Sequence, residues 1–259
     1  MDDLLINDFK NQFNLKIESI KELKENVVII NDKYVLKQFN KDDFNANKVF
    51  ENYYKFIKAF RKSIYNNEEH HYMVYDYIEQ DKIIDYTKIK IINQIYDVIK
   101  EERRYDASYF GYFNEEKNSW YEFLLEEINY SKSIIKDVAI DTKIVDKALK
   151  NVKKEKIEHY LLHGDLGAHN FIIKDKIINI IDPIVLVGDY LYDFYYAILS
   201  NYDIASSLDF DFILSYFDRK EKYKKSLFII VYFIRMCRAY KYNEIDFNNF
   251  LKDYKYLSL

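Results

Sequence analysis

The residues best suited to chemistry lie between His163 and Gly188, in the stretch HGDLGAHNFIIKDKIINIIDPIVLVG. Asp165 is followed five residues later by Asn170, and Asp182 comes twelve residues after that. Acid, amide and acid in this order, with a short strand pair between the last two, form the layout of a phosphoryl-transfer site. Such transfer needs one carboxylate to orient the attacking hydroxyl and accept its proton. It also needs a second carboxylate and an amide oxygen to hold Mg²⁺ against the triphosphate and offset charge on the leaving oxygens. The same stretch holds three of the chain's four glycines, its only proline and two of its five histidines. In a chain so poor in glycine and proline, these residues mark positions where the backbone geometry is demanding.

The elements that must position these residues follow from periodicity. Residues 15–23, 27–31 and 34–39 alternate as three antiparallel strands, with polar turns at 24–26 and 31–33. Asp42 or Asp43 is placed to cap a helix over 45–60, with Phe50, Tyr53, Tyr54 and Ile57 on one face. A hairpin is expected over 63–78, turning at Asn66 and Asn67. The pattern then turns helical: 88–104, a helix to 135 opened by the capping box of Ser119 and Glu122, and a third from Asp141 to Lys150. Short strands at 171–173 and 177–181 precede helices from Asp189 to Ser200 and on through the C-terminal part. The expected class is α+β, with a small antiparallel β lobe over residues 1–78 and a larger, mostly helical lobe over 79–259.

Composition narrows the function. The chain has 259 residues, 27 of them Tyr and 19 Phe, with a formal charge of -4 and a pI near 5.8. Aromatics can stack on bases, but an acidic surface opposes phosphate-backbone binding, so no nucleic-acid partner is expected. Acidity weakly favours a cationic small-molecule acceptor. Cys237 is the only cysteine, which rules out an intramolecular disulfide and a cysteine metal cluster. The first residues, MDDLLINDFK, lack the basic flank and apolar core of a signal peptide. The longest apolar run, Leu227–Ile234, stops at Arg235, far short of the ~20 residues a membrane span needs. The expectation is a cytoplasmic protein with no membrane association and no obligatory protein partner.

The motif HGDLGAHN, followed by IIDP and then GDYLYDF, resembles the aminoglycoside phosphotransferase family within the wider protein-kinase-like fold. The interval from Asp165 to Asn170 is also that of a kinase catalytic loop. The resemblance is densest over 160–200 and extends more loosely, through the two-lobe pattern, over most of the chain. It implies that Asp165 is the catalytic base and that Asn170 and Asp182 are Mg²⁺ ligands. Lys37, late in the third strand, takes the position of the lysine that contacts the α- and β-phosphates, and Glu51 that of its helical partner. Met73–Ile78 corresponds to the connection between lobes, where backbone groups of Asp76 and Ile78 would read the purine edge. Tyr75 would guard the back of the base pocket and could admit guanine, so ATP and GTP are both candidate donors. Asp189 and Asp193 would brace the catalytic loop from below, with a simple helix cap the competing role for Asp189. The implied activity is transfer of a γ-phosphoryl group to a hydroxyl of a small molecule, first of all an aminoglycoside. A metabolic kinase acting on an amino alcohol or sugar is the alternative.

The sequence also departs from the kinase pattern. The nucleotide-covering turn near residues 23–27 contains no glycine, which leaves Asn26 as the candidate for phosphate contacts there. Pro183 follows Asp182 where a protein kinase has Phe-Gly, which favours a small-molecule kinase. Two rivals stand beside this reading: a metallohydrolase with His163, Asp165, His169 and Asp182 as ligands, and a nucleotide-binding pseudokinase.

Overall fold

The structure is a computed structural model, and it describes residues 3–81, 91–101, 104–206 and 209–259. The chain forms two compact units. One comprises residues 1–84 with 172–181, and the other 85–171 with 182–259. The strand pair around 175 therefore belongs with the first unit, whereas the sequence reading divides the chain once, between 78 and 79.

The first unit is built on a five-stranded antiparallel sheet. Its strands are β1 Ile20–Lys24, β2 Val27–Ile30, β3 Tyr34–Gln38, β4 Tyr65–Asn67 and β5 Tyr72–Asp76, in the order β1-β2-β3-β5-β4. The pleat sends alternate side chains to one face, so Val28, Ile30, Tyr34, Leu36, Tyr72 and Val74 share a core. Helix α1, Asp3–Phe13, covers that face with Leu5 and Phe9, spaced one helical turn apart. This helix is absent from the sequence reading, and β1 begins at Ile20 rather than at residue 15, because the Asn31 side chain takes up the Glu18 and Ser19 amides and the Lys16 carbonyl. Burying such side chains is worth about 1.5–3 kcal/mol each.

Helix α2 runs Lys41–Tyr53 and is capped by Asn40, whose side chain accepts from the Asp43 amide at 2.8 Å. The sequence reading gave that role to Asp42 or Asp43; both instead lie in the first turn, where carboxylates suit the helix dipole. The hairpin over 63–78 forms, but it turns after Asn67, whose side chain accepts from the amides of Glu69 and His70. Strands β9 Phe171–Lys174 and β10 Ile177–Ile180 form a tight hairpin, with Asp175 and Lys176 both at positive φ. Backbone bonds from Arg61 to Ile180 and from Ile180 to Ala59, with Asp81 to Ile173, tie residues 172–181 into the first unit.

The second unit is mostly helical. Its helices are α3 Ile91–Ile99, α4 Trp120–Ile134, α5 Lys143–Val152, α6 Tyr190–Ile198, α7 Tyr202–Ser206, α8 Phe210–Ser215, α9 Glu221–Tyr242 and α10 Glu244–Tyr254. Helix α9 is the hub: it packs on α4, α5, α6 and α10, and every residue from Ser226 to Ile234 is buried. A helical segment that is apolar on nearly every side must sit inside the protein. The helix expected over 88–104 is seen as α3; residues 88–90, 102 and 103 lie outside the described residues. Ser119 caps α4, while Glu122 reaches back to the Asn118 amide rather than to Ser119. A four-stranded sheet, ordered β7-β6-β11-β8, completes the unit, with β6 Phe110–Tyr112, β7 Glu115–Lys117, β8 Tyr160–Leu162 and β11 Leu186–Gly188. These three-residue strands are too short for sequence alternation to announce.

Candidate active site

Strand β8 delivers the chain into the loop 163–170. Strand β11 pairs with β8, and the pairing continues through a bond from the Ile184 amide to the His163 carbonyl at 2.9 Å. Gly164 turns the chain with φ +78°, and a Cβ there would collide with the Ile184 carbonyl. The loop then closes on itself through bonds from Gly167 to the Asp165 carbonyl and from Asn170 to the Gly167 carbonyl.

Asp165 stands at the centre of this loop. Its Oδ2 meets His169 Nε2 at 2.9 Å and accepts from Asn170 Nδ2 at 3.2 Å. Its Oδ1 accepts from the Tyr196 hydroxyl at 2.8 Å. Asn170 Nδ2 also donates to the Asp165 carbonyl at 2.8 Å, so the amide nitrogen is committed to Asp165 and the amide oxygen is left for a cation. Gly167 has an ordinary φ, yet a Cβ there would come within 2.6 Å of the His169 ring. This glycine makes room for the imidazole that reaches Asp165.

One face of α6 supports the loop in successive turns. Asp193 accepts from the amides of His163 at 2.6 Å and Gly164 at 3.0 Å. One turn on, Tyr196 holds the Asp165 side chain; just past the helix end, Ser200 Oγ accepts from the Ala168 amide at 2.8 Å. The spacing 193, 196, 200 is that of residues stacked along one helix face. Asp189, by contrast, caps α6 through the Leu191 amide and binds Arg219 at 2.6 Å and the Tyr223 hydroxyl at 2.7 Å. The cap, and not a loop brace, is its role.

Electrostatics separates the acids. Burial alone would push the Asp165 carboxyl up, but the hydrogen bond and charge of His169, the Tyr196 hydroxyl and the charge of His163 together pull it down to about 2. Asp165 is thus ionised at neutral pH and ready to accept a hydroxyl's hydrogen bond. Asp193 is fully buried, and that burial pushes its carboxyl up to about 7 against the opposing donations from His163 and Gly164.

Asp182 follows the β9–β10 hairpin and sits two residues before the bond that joins Ile184 to the loop. Its φ of +58° is a left-handed conformation that few non-glycine residues adopt, and the following Pro183 disfavours helical conformations still further. Strain of this kind concentrates at functional sites. Asn170 and Asp182 provide an amide oxygen and a carboxylate, the hard oxygen donors that Mg²⁺ takes while completing its shell with phosphate oxygens and water. The donor set therefore fits the ion. Among the described residues, no group of three or more His, Cys, Asp or Glu side chains is placed to hold a metal, so the four-ligand hydrolase centre is not assembled.

In the first unit, Lys37 lies on β3 opposite Met73 of β5, with its ammonium 4.7 Å from the centre of the Phe39 ring. Glu51 on α2 accepts from the Ser63 amide and hydroxyl, at 3.0 and 2.6 Å, and from the Tyr75 hydroxyl at 2.9 Å. Tyr75 is thereby anchored to the carboxylate expected to face Lys37. Asn26 closes the turn after β1: its Nδ2 donates to the Gln38 carbonyl and its own carbonyl accepts from the Gln38 amide. Asp76 ends β5, with Arg61 Nη2 at 3.5 Å from its carbonyl, and the half-buried Ile78 lies two residues on.

The sequence reading gave no supporting role to His169, Tyr196, Ser200, Arg235 or Arg238. His169 carried a usable signal, one helical turn after Asp165. Tyr196 is one of 27 tyrosines and carried none.

A sheet-based unit and a helical unit that cradles an Asp–Asn loop define a protein-kinase-like fold, and the class is the kinase-like small-molecule phosphotransferases. A family model described as fructosamine kinase matches residues 63–224, well over half of the chain. The chain belongs to that family. Among solved structures, choline kinase LicA from Streptococcus pneumoniae is similar at 16% identity and TM-score 0.60, covering 98% of this chain and 99% of that one. Aminoglycoside phosphotransferase APH(4)-Ia, in a ternary complex with ADP and hygromycin B, is similar at 14% identity and TM-score 0.62, covering 97% and 96%. The GDP complex of aminoglycoside 2'-phosphotransferase-IIIa gives 12% identity and TM-score 0.57 over 99% and 98%. These likenesses establish the fold. No curated protein matches the sequence. No helix among the described residues is long and apolar enough to cross a membrane.

Proposed function

We propose that the protein transfers the γ-phosphoryl group of ATP or GTP to a hydroxyl of a small, amine-bearing sugar, with Asp165 as the base. The observation that carries this reading is the held, ionised carboxylate of Asp165 in its loop, with one amide oxygen and one strained carboxylate following it. The acceptor hydroxyl donates its hydrogen bond to Asp165. As its oxygen bonds to the γ-phosphorus, the bond from that phosphorus to the β-phosphate bridging oxygen breaks. The proton passes to Asp165, and the nucleoside diphosphate leaves with the electron pair. No covalent enzyme intermediate is needed, because positioning supplies the catalysis. Asn170 and Asp182 would hold Mg²⁺, which neutralises charge on the phosphate oxygens. Lys37, oriented with Glu51, would bind the α- and β-phosphates; Asn26 would lie at the covering turn, and the backbone of Asp76 and Ile78 would meet the base. The proposed use of ATP or GTP supports a cytoplasmic location.

For the acceptor, the family match supports a ketoamine sugar of the fructosamine kind, with an amine beside several hydroxyls. Aminoglycosides form a second reading, favoured by the HGDLGAHN motif and its IIDP and GDYLYDF partners. Against that second reading, two acids of the C-terminal helices are otherwise engaged: Asp209 caps α8, and Glu221 pairs with Lys225. Transfer of radiolabelled γ-phosphate from ATP and GTP to fructosyl-lysine, kanamycin and choline tests both readings. Labelled fructosyl-lysine supports the first and labelled kanamycin the second. Nucleotide binding without transfer to any acceptor would favour a pseudokinase.

A further inference from the structure

Behind the catalytic loop lies a buried polar chain that belongs neither to the nucleotide nor to the metal. Tyr196 is 1% exposed, and its hydroxyl donates to Asp165 Oδ1 at 2.8 Å. That hydroxyl in turn accepts from two arginines on one face of α9: Arg235 Nη1 at 2.9 Å, and Arg238 Nη1. Both guanidinium groups also lie over the Tyr196 ring, 4.6 and 5.4 Å from its centre. Each arginine is fixed from its other side. Arg235 Nη2 donates to the Ser200 carbonyl at 3.0 Å, and Arg238 Nη2 binds Glu127 of α4 at 2.6 Å.

The donor arithmetic gives this chain a direction. A phenol oxygen that accepts from two guanidinium groups has its lone pairs occupied, so its own proton can only point outward. It points at Asp165. Burial keeps the phenol protonated by raising its pKa, although the two arginines pull the other way. On the carboxylate, Oδ2 already serves His169 and Asn170, while among the described residues Oδ1 serves Tyr196 alone. An ionised carboxylate offers about four acceptor positions. With three taken, the remaining one is on Oδ1, beside the tyrosine.

We propose that Tyr196, clamped by Arg235 and Arg238, is a positioning residue that aims Asp165 Oδ1 at the acceptor hydroxyl. This rests on Asp165 being the base, as proposed above. The clamp acts through Asp165 and not on nucleotide, so its loss lowers turnover and leaves nucleotide binding in place. Because it works through one partner, its effect disappears once that partner is disabled; residues acting as a unit are strongly non-additive.

The test is a double-mutant cycle of Y196F and D165N, with turnover of Mg·ATP measured with fructosyl-lysine and, in parallel, with water as acceptor. Affinity for Mg·ADP and the melting temperature are measured on the same samples. The clamp predicts that Y196F alone lowers kcat about 10- to 100-fold, leaves Mg·ADP affinity within about twofold, and costs nothing further on the D165N background. Should Y196F fail to fold because two arginine donors lose their acceptor, R235K replaces it. Lysine keeps the charge but cannot reach the phenol and the Ser200 carbonyl together, so kcat falls by about 3- to 10-fold with the fold retained. Normal kcat in the folded variant overturns the clamp, as does an equal loss of activity on the D165N and wild-type backgrounds. Normal turnover by D165N, or no turnover by the wild type with fructosyl-lysine, kanamycin or water, overturns the base assignment and the clamp with it.

Discussion

The two units hold their candidate residues in different ways. In the helical unit, the loop around Asp165 is fixed from below at every step: Asp193 holds the amides of 163 and 164, Tyr196 the Asp165 side chain, and Ser200 the amide of 168. In the sheet unit, β1 is exposed along its whole length, and the turn after it is closed by the Asn26 and Gln38 pair. There the anchored groups are Glu51 and Tyr75, set deeper between α2 and β5. The comparison fits the demands of phosphoryl transfer. A proton acceptor must sit within a fraction of an ångström of its place, while the turn proposed to cover the phosphates can close around them on binding.

Removing a brace from the rigid unit breaks this contrast most severely. Asp193→Ala leaves two buried backbone N–H groups without acceptors and should cost roughly 2–5 kcal/mol of stability, read as a lower denaturation midpoint. A smaller effect concerns the room made for His169. Gly167→Ala would drive the imidazole off Asp165 and lower turnover by about tenfold with the fold intact. His169→Ala should do the same, and the double variant should be no worse than either alone. Next comes a pH dependence. Asp193 holds its proton up to about 7, whereas the unfolded chain releases it near the ordinary carboxylate value. Between those limits the folded state binds the extra proton, so this group makes stability fall as pH rises, by at most about 1.4 kcal/mol per pH unit. Denaturation of Asp193→Asn should lack that slope. In the open unit, Asn26→Ala should change stability by no more than about 1 kcal/mol, and its larger consequence should be weaker Mg·ATP binding. A loss of several kcal/mol there would erase the distinction between the two units.

Much of this was legible in the sequence, for physical reasons that differ by region. The sheet of the first unit announced itself because short apolar runs, such as the fully buried Val27–Ile30, stand between polar turns, and the Ser119 cap did so because few residue types can accept from a helix amide. The Asp165–Asn170 interval was visible because the loop is short and its chemistry needs fixed atoms at a fixed spacing. Helix α1 was hidden: of its apolar residues only Leu5 and Phe9 are buried, and they acquire meaning only against the sheet they cover. The cap of α2 went to Asn40 because the helix starts earlier than its apolar face. The clamp behind Asp165 could not be read at all, since Tyr196, Arg238 and Glu127 meet only after three helices pack. A tyrosine-rich chain gives no sign of which phenol faces an acid. Gly167 was conspicuous as a glycine, but its reason, the His169 ring, required coordinates.

Asp165 as the base of a phosphoryl transfer, and not a structural acid, is what every other assignment in the loop depends on. The most direct test is single-turnover transfer from Mg·ATP to fructosyl-lysine by D165N, with nucleotide affinity titrated on the same preparation. Transfer should slow by about 10²- to 10⁴-fold, with affinity for Mg·ATP within about twofold of wild type. Transfer at the wild-type rate, or a variant that no longer binds nucleotide, would contradict it.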